Sequence, residues 1–371
     1  MTRPEDDEVR VLEVLPRSAG GIGHHVSEVV RHLDGRGGLI VDVAGPSINT
    51  VAMPKPVIPV AIPDGALGHP AAIARLKTVL DDGSYDVVHA HGLRAGVDGA
   101  LAARRLRKRS ILTVHNLIRD EISGKLAATL LRTMEAAAVR LAHLVFAPSQ
   151  QIADHLRAAV PSATGKIEVL YLPPELPLVR RSATEVRAEL GVTPSERLVV
   201  TASRLAPQKA LPVMLRAVAQ LPGDVVLAVL GEGPEEQELR SLAAELGVAA
   251  RVRWLGWRED VGDLIAAADV FCMSSVWEAV GLAAQEAVQL GTPVVTTDVG
   301  GMRELVADRV SGRLVPKGDG DALAAALDEV AGTAKGAEYA DRARRDYESR
   351  FSREHTMQRL GQAYLRLARA G

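Results

Sequence analysis

The stretch Trp277-Glu278-Ala279-Val280-Gly281-Leu282-Ala283-Ala284-Gln285-Glu286, followed by Gly291-Thr292-Pro293-Val294-Val295, decides the fold class. Just before it, Ala268 to Ser274 is a short apolar run bounded by polar residues, the pattern of a buried strand. Gly281 then opens a periodic stretch with Leu282, Ala287 and Leu290 at apolar positions, and Gly291 with Pro293 stops it as a helix is stopped. A helix that starts directly after a buried strand belongs to a parallel α/β sheet. Its free first-turn amides, at Gly281, Leu282 and Ala283, and the positive end of its dipole suit a phosphate. Gly281 lets a diphosphate approach the backbone closely. Glu286, in the second turn, is placed to accept hydrogen bonds from ribose hydroxyls, and Glu278, in the preceding loop, from sugar hydroxyls. The plain alternative is an amphipathic helix with two solvated glutamates.

Outward from this stretch the same alternation recurs. Val9–Leu15, Leu39–Ala44, 86–91, 111–114, 144–147 and 167–172 read as strands, with helices at 26–33, 95–107 and 126–141 between them. Leu172-Pro173-Pro174-Glu175-Leu176-Pro177 holds three prolines in six residues and suits neither a helix interior nor a central strand, so it reads as a linker. The pattern then restarts, with strands at 198–202, 225–230, 252–255, 294–297 and 313–315 and helices at 211–221, 234–246, 261–267 and 321–330. Residues 347–370 read as one long terminal helical region. The expected organisation is two α/β domains facing one another across a cleft, residues 1–172 and 182–350. Residues 173–181 are the linker, and 351–371 form a terminal helix with the option of crossing back to the first domain. Ligands of such sheets sit beyond the carboxyl ends of the strands.

Composition narrows the function. The chain has 371 residues, of which 47% are hydrophobic, 24% charged and 3% aromatic, so its core is built of Leu, Val and Ala. A formal net charge of −2 argues against a nucleic-acid binder driven by bulk charge. The lone Cys272 excludes an intramolecular disulfide and fits a reducing cytosol. Met1 to Glu8 lacks a secretory pattern and no apolar run is long enough for a bilayer, so a soluble, cytoplasmic protein is expected.

The E-x7-E spacing of Glu278 and Glu286, with the Gly-Leu step between them, resembles the donor-binding signature of retaining glycosyltransferases of the GT-B fold, family 4. The likeness is strong from Val199 to Val315 and moderate from Val9 to Gln151. It implies two facing Rossmann-like domains and a nucleotide-sugar donor. Ser203-Arg204-Leu205-Ala206-Pro207-Gln208-Lys209 is similar to the family's R-L-x-x-x-K-G element, whose Arg and Lys grip the donor diphosphate and neutralise charge growing on the leaving group. Ala210 stands where the family has Gly. Gly20-Gly21-Ile22-Gly23 resembles the family's N-terminal glycine loop, which approaches the donor phosphate. Leu112-Thr113-Val114-His115-Asn116 resembles its T-x-H element, whose His approaches the transferred sugar; a structural histidine at a strand end is the alternative. His89 and His91 match the family pattern but read better as structural, and His24 and His25 read as helix-face residues. Arg258, in Gly256-Trp257-Arg258-Glu259-Asp260, falls in a family loop near the nucleotide base, with a contact through its backbone in view.

The resemblance thus implies catalytic residues His115, Arg204, Lys209 and Glu278, and donor-binding residues Gly20, Gly21, Arg258, Gly281, Leu282, Ala283 and Glu286. No cofactor and no metal are expected: Asp319-Gly320-Asp321, a D-x-D triplet, precedes an alanine-rich helix and reads as its cap. The expected reaction moves a hexosyl or N-acetylhexosaminyl group from a UDP- or GDP-sugar to a hydroxyl on a glycan, a lipid-linked or a small-molecule acceptor, with domain closure excluding water. The basic run Arg104-Arg105-Leu106-Arg107-Lys108-Arg109 is better explained by its place at a helix C-terminus than by contact with an anionic membrane. Three other functions stay open: a nucleotide-sugar epimerase or pseudo-glycosyltransferase of the same fold, an inactive nucleotide-sugar-binding module, and an NAD(P)-dependent oxidoreductase. The last rests on Gly21-Ile22-Gly23 and Asp42, an incomplete dinucleotide fingerprint.

Overall fold

Runs such as Val225–Leu230, apolar and buried at every position, can only be strands covered on both faces, and they set the architecture. A computed structural model describes residues 8–17, 21–46, 52–65, 67–118 and 125–370. The chain divides into two units, Met1–Leu172 with Arg353–Gly371, and Pro173–Ser352.

The first unit holds seven strands: β1 (Val9–Val14), β2 (Leu39–Gly45), β3 (Val57–Pro59), β4 (Val87–His91), β5 (Arg109–Thr113), β6 (Leu144–Ala147) and β7 (Ile167–Val169). They form one sheet in the order β3-β2-β1-β4-β5-β6-β7, and every neighbouring pair is parallel. The order reverses between β1 and β4, the position where such sheets bind ligands. Alternation assigns the faces. Val9 and Val11, Val87 and Ile111 point into one core with the helix Gly21–Leu33 and the last helix, Arg353–Arg369. Leu12, Val14, Val88 and Ala90 point into the other with the helices His69–Asp82 and Leu93–Arg105.

The second unit holds β8 (Arg197–Ala202), β9 (Val225–Leu230), β10 (Val252–Gly256), β11 (Val270–Met273), β12 (Val294–Thr297) and β13 (Arg313–Val315). Their order is β10-β9-β8-β11-β12-β13, again parallel throughout, with the reversal between β8 and β11. Cys272 is free and buried in this core.

Two kinds of helix start in this unit bear on the site. Ser182, Asp319 and Thr333 each accept a hydrogen bond from a first-turn amide, and Asp319 takes that of Ala322, so the D-x-D triplet is a cap. The helices Leu211–Gln220 and Leu282–Leu290, which follow the loops after β8 and β11, begin instead on left-handed residues, Ala210 and Gly281, with no side-chain cap.

Two segments expected from sequence take a definite form. The terminal helical region is two helices: Ala334–Arg350 ends at Phe351, and a second starts at Arg353, close to the boundary expected at 350/351. The break is where the chain leaves the second unit and rejoins the first, burying Met357, Leu360, Ala363 and Tyr364 there. The proline-rich segment is anchored. It belongs to the second unit, where Asp263 accepts from the backbone amides of Arg180 (2.6 Å) and Arg181 (3.1 Å).

Candidate active site

At the reversal point of the second unit, the loops after β8 and β11 are tied to each other. The Val276 amide donates to the Gln208 backbone carbonyl (2.8 Å), the Gln208 side-chain Nε2 to the Trp277 carbonyl (2.9 Å), and the Ser274 hydroxyl to the Lys209 carbonyl (2.9 Å). This brings Lys209 to Glu278, residues that the sequence keeps 69 positions apart: Nζ donates to Oε1 at 2.6 Å. The Ser275 hydroxyl donates to the same oxygen, also at 2.6 Å. Glu278 is buried, 7% exposed, and its Oε1 accepts both of these bonds. Its backbone is fixed as well, because Gly300, at φ +55°, lies so close that a Cβ there would sit 1.6 Å from the Glu278 carbonyl oxygen.

Gly281 follows at φ +56° and turns the chain into the helix Leu282–Leu290. The helix has neither a side-chain cap nor an acid in its first turn, so its amides at Leu282 and Ala283 are not taken up by a carboxylate of their own helix. Glu286 stands one turn on. Burial pushes its carboxyl up to about 7, and no described residue hydrogen-bonds it. Arg204 is exposed, and its guanidinium has no partner among the described residues. The geometry offers one free cation, one paired cation, an uncapped helix start and an unsatisfied carboxyl, the group set a sugar nucleotide can occupy.

Arg258 does not join this set through its side chain. Its guanidinium pairs with Asp260 (2.7 Å) and Glu189 (3.0 Å), in a network that Arg181 completes by bonding Asp260, Asp263 and Glu189. Only its backbone remains for a ligand.

In the first unit a polar ladder crosses the carboxyl ends of β1, β4 and β5. On each strand the face that begins apolar ends polar: Val9, Val11, then Glu13; Val87, then His89 and His91; Ile111, then Thr113 and His115. Register puts Glu13 beside His89, and His91 beside Thr113. Glu13, His89 and His91 are 0% exposed. His91 Nε2 lies 2.6 Å from Glu13 Oε2, and His91 Nδ1 lies 3.0 Å from His115 Nε2. The Tyr364 hydroxyl, from the last helix, donates to Glu13 Oε1 and meets His89 Nδ1 at 2.7 Å. Thr113 Oγ1 meets His89 Nε2 at 2.7 Å. Burial alone would raise the Glu13 carboxyl, but His89 and His91 overcome this and hold it well below the usual carboxylate range. Burial, with the neighbouring imidazoles, pushes His91 down to about 4, His25 to about 3, and His115 well below its ordinary value. Burial and the Glu13 charge raise the Tyr364 hydroxyl.

His115 therefore stands at a strand end as expected, but not alone. His91, read from sequence as structural, is its hydrogen-bond partner. His25 is not a plain helix-face residue: it is buried, with its ring centroid 5.6 Å from that of His91 and 6.2 Å from that of His115, and its Nε2 has no hydrogen-bond partner. His24 is exposed. Gly21 opens the helix Gly21–Leu33, and Gly20 lies outside the described residues. Sequence reasoning missed Glu13 and Tyr364. A charge on the inward face of an apolar strand was the signal for Glu13; nothing local marked Tyr364.

Comparison with known proteins agrees with this arrangement. Residues 19–173 match the family described as Glycosyltransferase Family 4, and residues 182–346 match Glycosyl transferases group 1. A D-inositol 3-phosphate glycosyltransferase of Mycobacterium marinum is 31% identical over 384 residues, covering 94% of this chain and 81% of the relative. HepE of Anabaena, solved in complex with UDP, superposes with a TM-score of 0.81 at 25% identity, over 96% of this chain and 99% of that one. The same protein solved with UDP and glucose gives 0.79 at 26% identity, over the same shares. Two Rossmann-like parallel sheets, a Lys–Glu pair beside an open helix start, and matches over both units together place the chain among the glycosyltransferases of the GT-B fold.

Proposed function

We propose that this chain transfers a hexose or N-acetylhexosamine, with retention of anomeric configuration and without a metal ion, from a UDP- or GDP-sugar to an acceptor hydroxyl. The observation that carries the reading is the Lys209–Glu278 pair, held at 2.6 Å beside the uncapped start of the helix Leu282–Leu290. In this reading the diphosphate lies on the Leu282 and Ala283 amides, with Lys209 and Arg204 taking up the charge that develops on the departing phosphate oxygen. That cationic environment is what a divalent ion supplies elsewhere. Glu286, raised by burial and lacking a partner, binds the ribose hydroxyls, and Glu278 orients the sugar. His115 is the first unit's candidate for contact with a substrate hydroxyl. No side chain is assigned as a nucleophile; in this reading the acceptor hydroxyl attacks on the face the nucleotide leaves.

UDP is the first nucleotide to test, since HepE was solved with it, and D-inositol 3-phosphate the first acceptor, since the mycobacterial relative carries that name. Purified protein would be incubated with UDP-glucose, UDP-N-acetylglucosamine and GDP-mannose, each with and without acceptor and EDTA. Nucleotide release and the anomeric proton coupling of the product are read together. The expected result is acceptor-dependent release, undiminished by EDTA, giving a product with the donor's configuration. Inversion removes the retaining assignment, and loss of activity in EDTA removes metal independence. Absence of both nucleotide release and donor binding removes the donor site.

A further inference from the structure

The ladder at the carboxyl ends of β1, β4 and β5 is a directed chain of hydrogen bonds, and its direction is fixed at one end. Both Glu13 oxygens are acceptors: Oε1 takes the Tyr364 hydroxyl, and Oε2 takes His91 Nε2 at 2.6 Å. The proton of His91 is therefore on Nε2, and its Nδ1 is a lone pair. That lone pair faces His115 Nε2 at 3.0 Å, which can approach so closely only as a donor. His115 in turn carries its proton on Nε2 and presents a bare Nδ1. No described residue hydrogen-bonds that Nδ1. Burial keeps His91 and His115 neutral, so neither ring gains a second proton that would reverse the chain.

We propose that Glu13 and His91 are positioning residues that lock His115 in the Nε2–H tautomer, so that its Nδ1 accepts a hydrogen bond from a substrate hydroxyl. A hydroxyl that donates to a neutral imidazole is oriented by it and made more electron-rich, whether it belongs to the transferred sugar or to the acceptor. A buried carboxylate that fixes the tautomer of an imidazole two bonds removed from substrate is an effective control on rate, because the wrong tautomer presents a donor where an acceptor is needed. The last helix closes the chain from behind through Tyr364. The proposal rests on the glycosyl-transfer reading for its kinetic consequence, but not for its geometry.

The same three groups, Glu13, His89 and His91, place ligand-type atoms within 4.8 Å of one another, so a buried cation is the rival explanation. Against it, each of the imidazole nitrogens and carboxylate oxygens involved already has a hydrogen-bond partner within the protein.

The test reads full-length protein labelled with 15N in histidine, by long-range proton–nitrogen correlation, with a His115→Asn sample to assign the ring. The expected spectrum of the unliganded wild type has His115 protonated on Nε2 alone. In Glu13→Gln the amide can donate to His91 and reverse the chain. The His115 proton should then move to Nδ1, and kcat should fall on the order of 100-fold with the donor KM unchanged within about twofold. Leu360→Ala, which loosens the same helix seam without touching the hydrogen-bond chain, keeps the wild-type tautomer and kcat below its own melting temperature. A wild-type His115 protonated on Nδ1 overturns the proposal even if no variant folds. So does Glu13→Gln with tautomer and kcat both retained, or one equivalent of zinc held by the wild type through dialysis and lost from Glu13→Gln. If the wild type shows the expected tautomer yet transfers no sugar from any donor, the glycosyl-transfer reading fails and the hydrogen-bond chain stands.

Discussion

Lys209 and Glu278 depend on each other before any substrate arrives. Removing the ammonium leaves a buried carboxylate with Ser275 as its one remaining donor, which costs about 1–3 kcal/mol. Lys209→Ala should therefore lower both the urea midpoint and, by roughly 10²–10³-fold, kcat/KM, the second through lost charge stabilisation at the leaving group. Unchanged turnover would strip Lys209 of its phosphate role. Glu286 makes a different prediction. Its folded value, about 7, lies above its unfolded value of 4.5, so the folded state holds the extra proton between those limits and loses stability as pH rises through them. Glu286→Gln cannot ionise. The variant and wild type should melt together near pH 4, and the variant should melt higher by pH 7.5, while binding nucleotide more weakly. Equal melting curves at pH 7.5 would mean that the carboxyl is not held in a desolvated place. The residue scale is also where sequence was most legible. The E-x7-E spacing, Arg204, Lys209 and His115 were all visible, because each falls in a motif that resembles the family's. The pairing of Lys209 with Glu278 was not, because it depends on β8 and β11 being neighbours, which no local pattern encodes.

At the scale of elements, the loops decide the site and the strands only deliver them. Gly300 belongs to the loop after β12 yet fixes Glu278 in the loop after β11, through a backbone approach that no side chain can enter. Gly300→Ala should cost about 2–4 kcal/mol and displace Glu278, abolishing donor binding by calorimetric titration while far-ultraviolet dichroism stays native. A variant that binds donor normally would show that the loop can shift at little cost. Ala210 occupies the same left-handed region, at φ 46°, a conformation glycine adopts more readily than alanine. Strand positions were readable from apolar runs, and their ends agreed within two residues except at β7, which stops at Val169 rather than Leu172. β3, Val57–Pro59, was not read, since its three residues sit among Pro54, Pro56 and Pro59, which read as irregular chain. Strand order was likewise invisible, because parallel strands carry no mark of their neighbours. The histidine ladder was half visible. Each strand turned from apolar to polar along one face, but only the register showed that the three polar ends meet.

For the whole molecule, the decisive fact is that the first unit is completed by the last helix. Met357, Leu360 and Tyr364 are buried against β1, β2 and the helix Gly21–Leu33. At about 1.5–3 kcal/mol each, they supply stabilisation comparable to that of an entire domain. A chain ending at Ser352 should lose the calorimetric transition of the first unit and keep that of the second, whose sheet and core lie wholly within residues 173–352. Two intact transitions would contradict this. The break at Phe351 and Ser352 lies at the boundary read between 182–350 and 351–371; what local pattern did not show is which side chains of the last helix the first unit buries. The order of the chain has a further consequence for biosynthesis. A ribosome releases the seven-stranded sheet a full domain before the segment that seals it, so the nascent first unit waits with a bare apolar seam while the intervening unit is translated and folds. Its maturation is paced by elongation, and the molecule's birth is most exposed to aggregation, and most in need of a chaperone, during that interval.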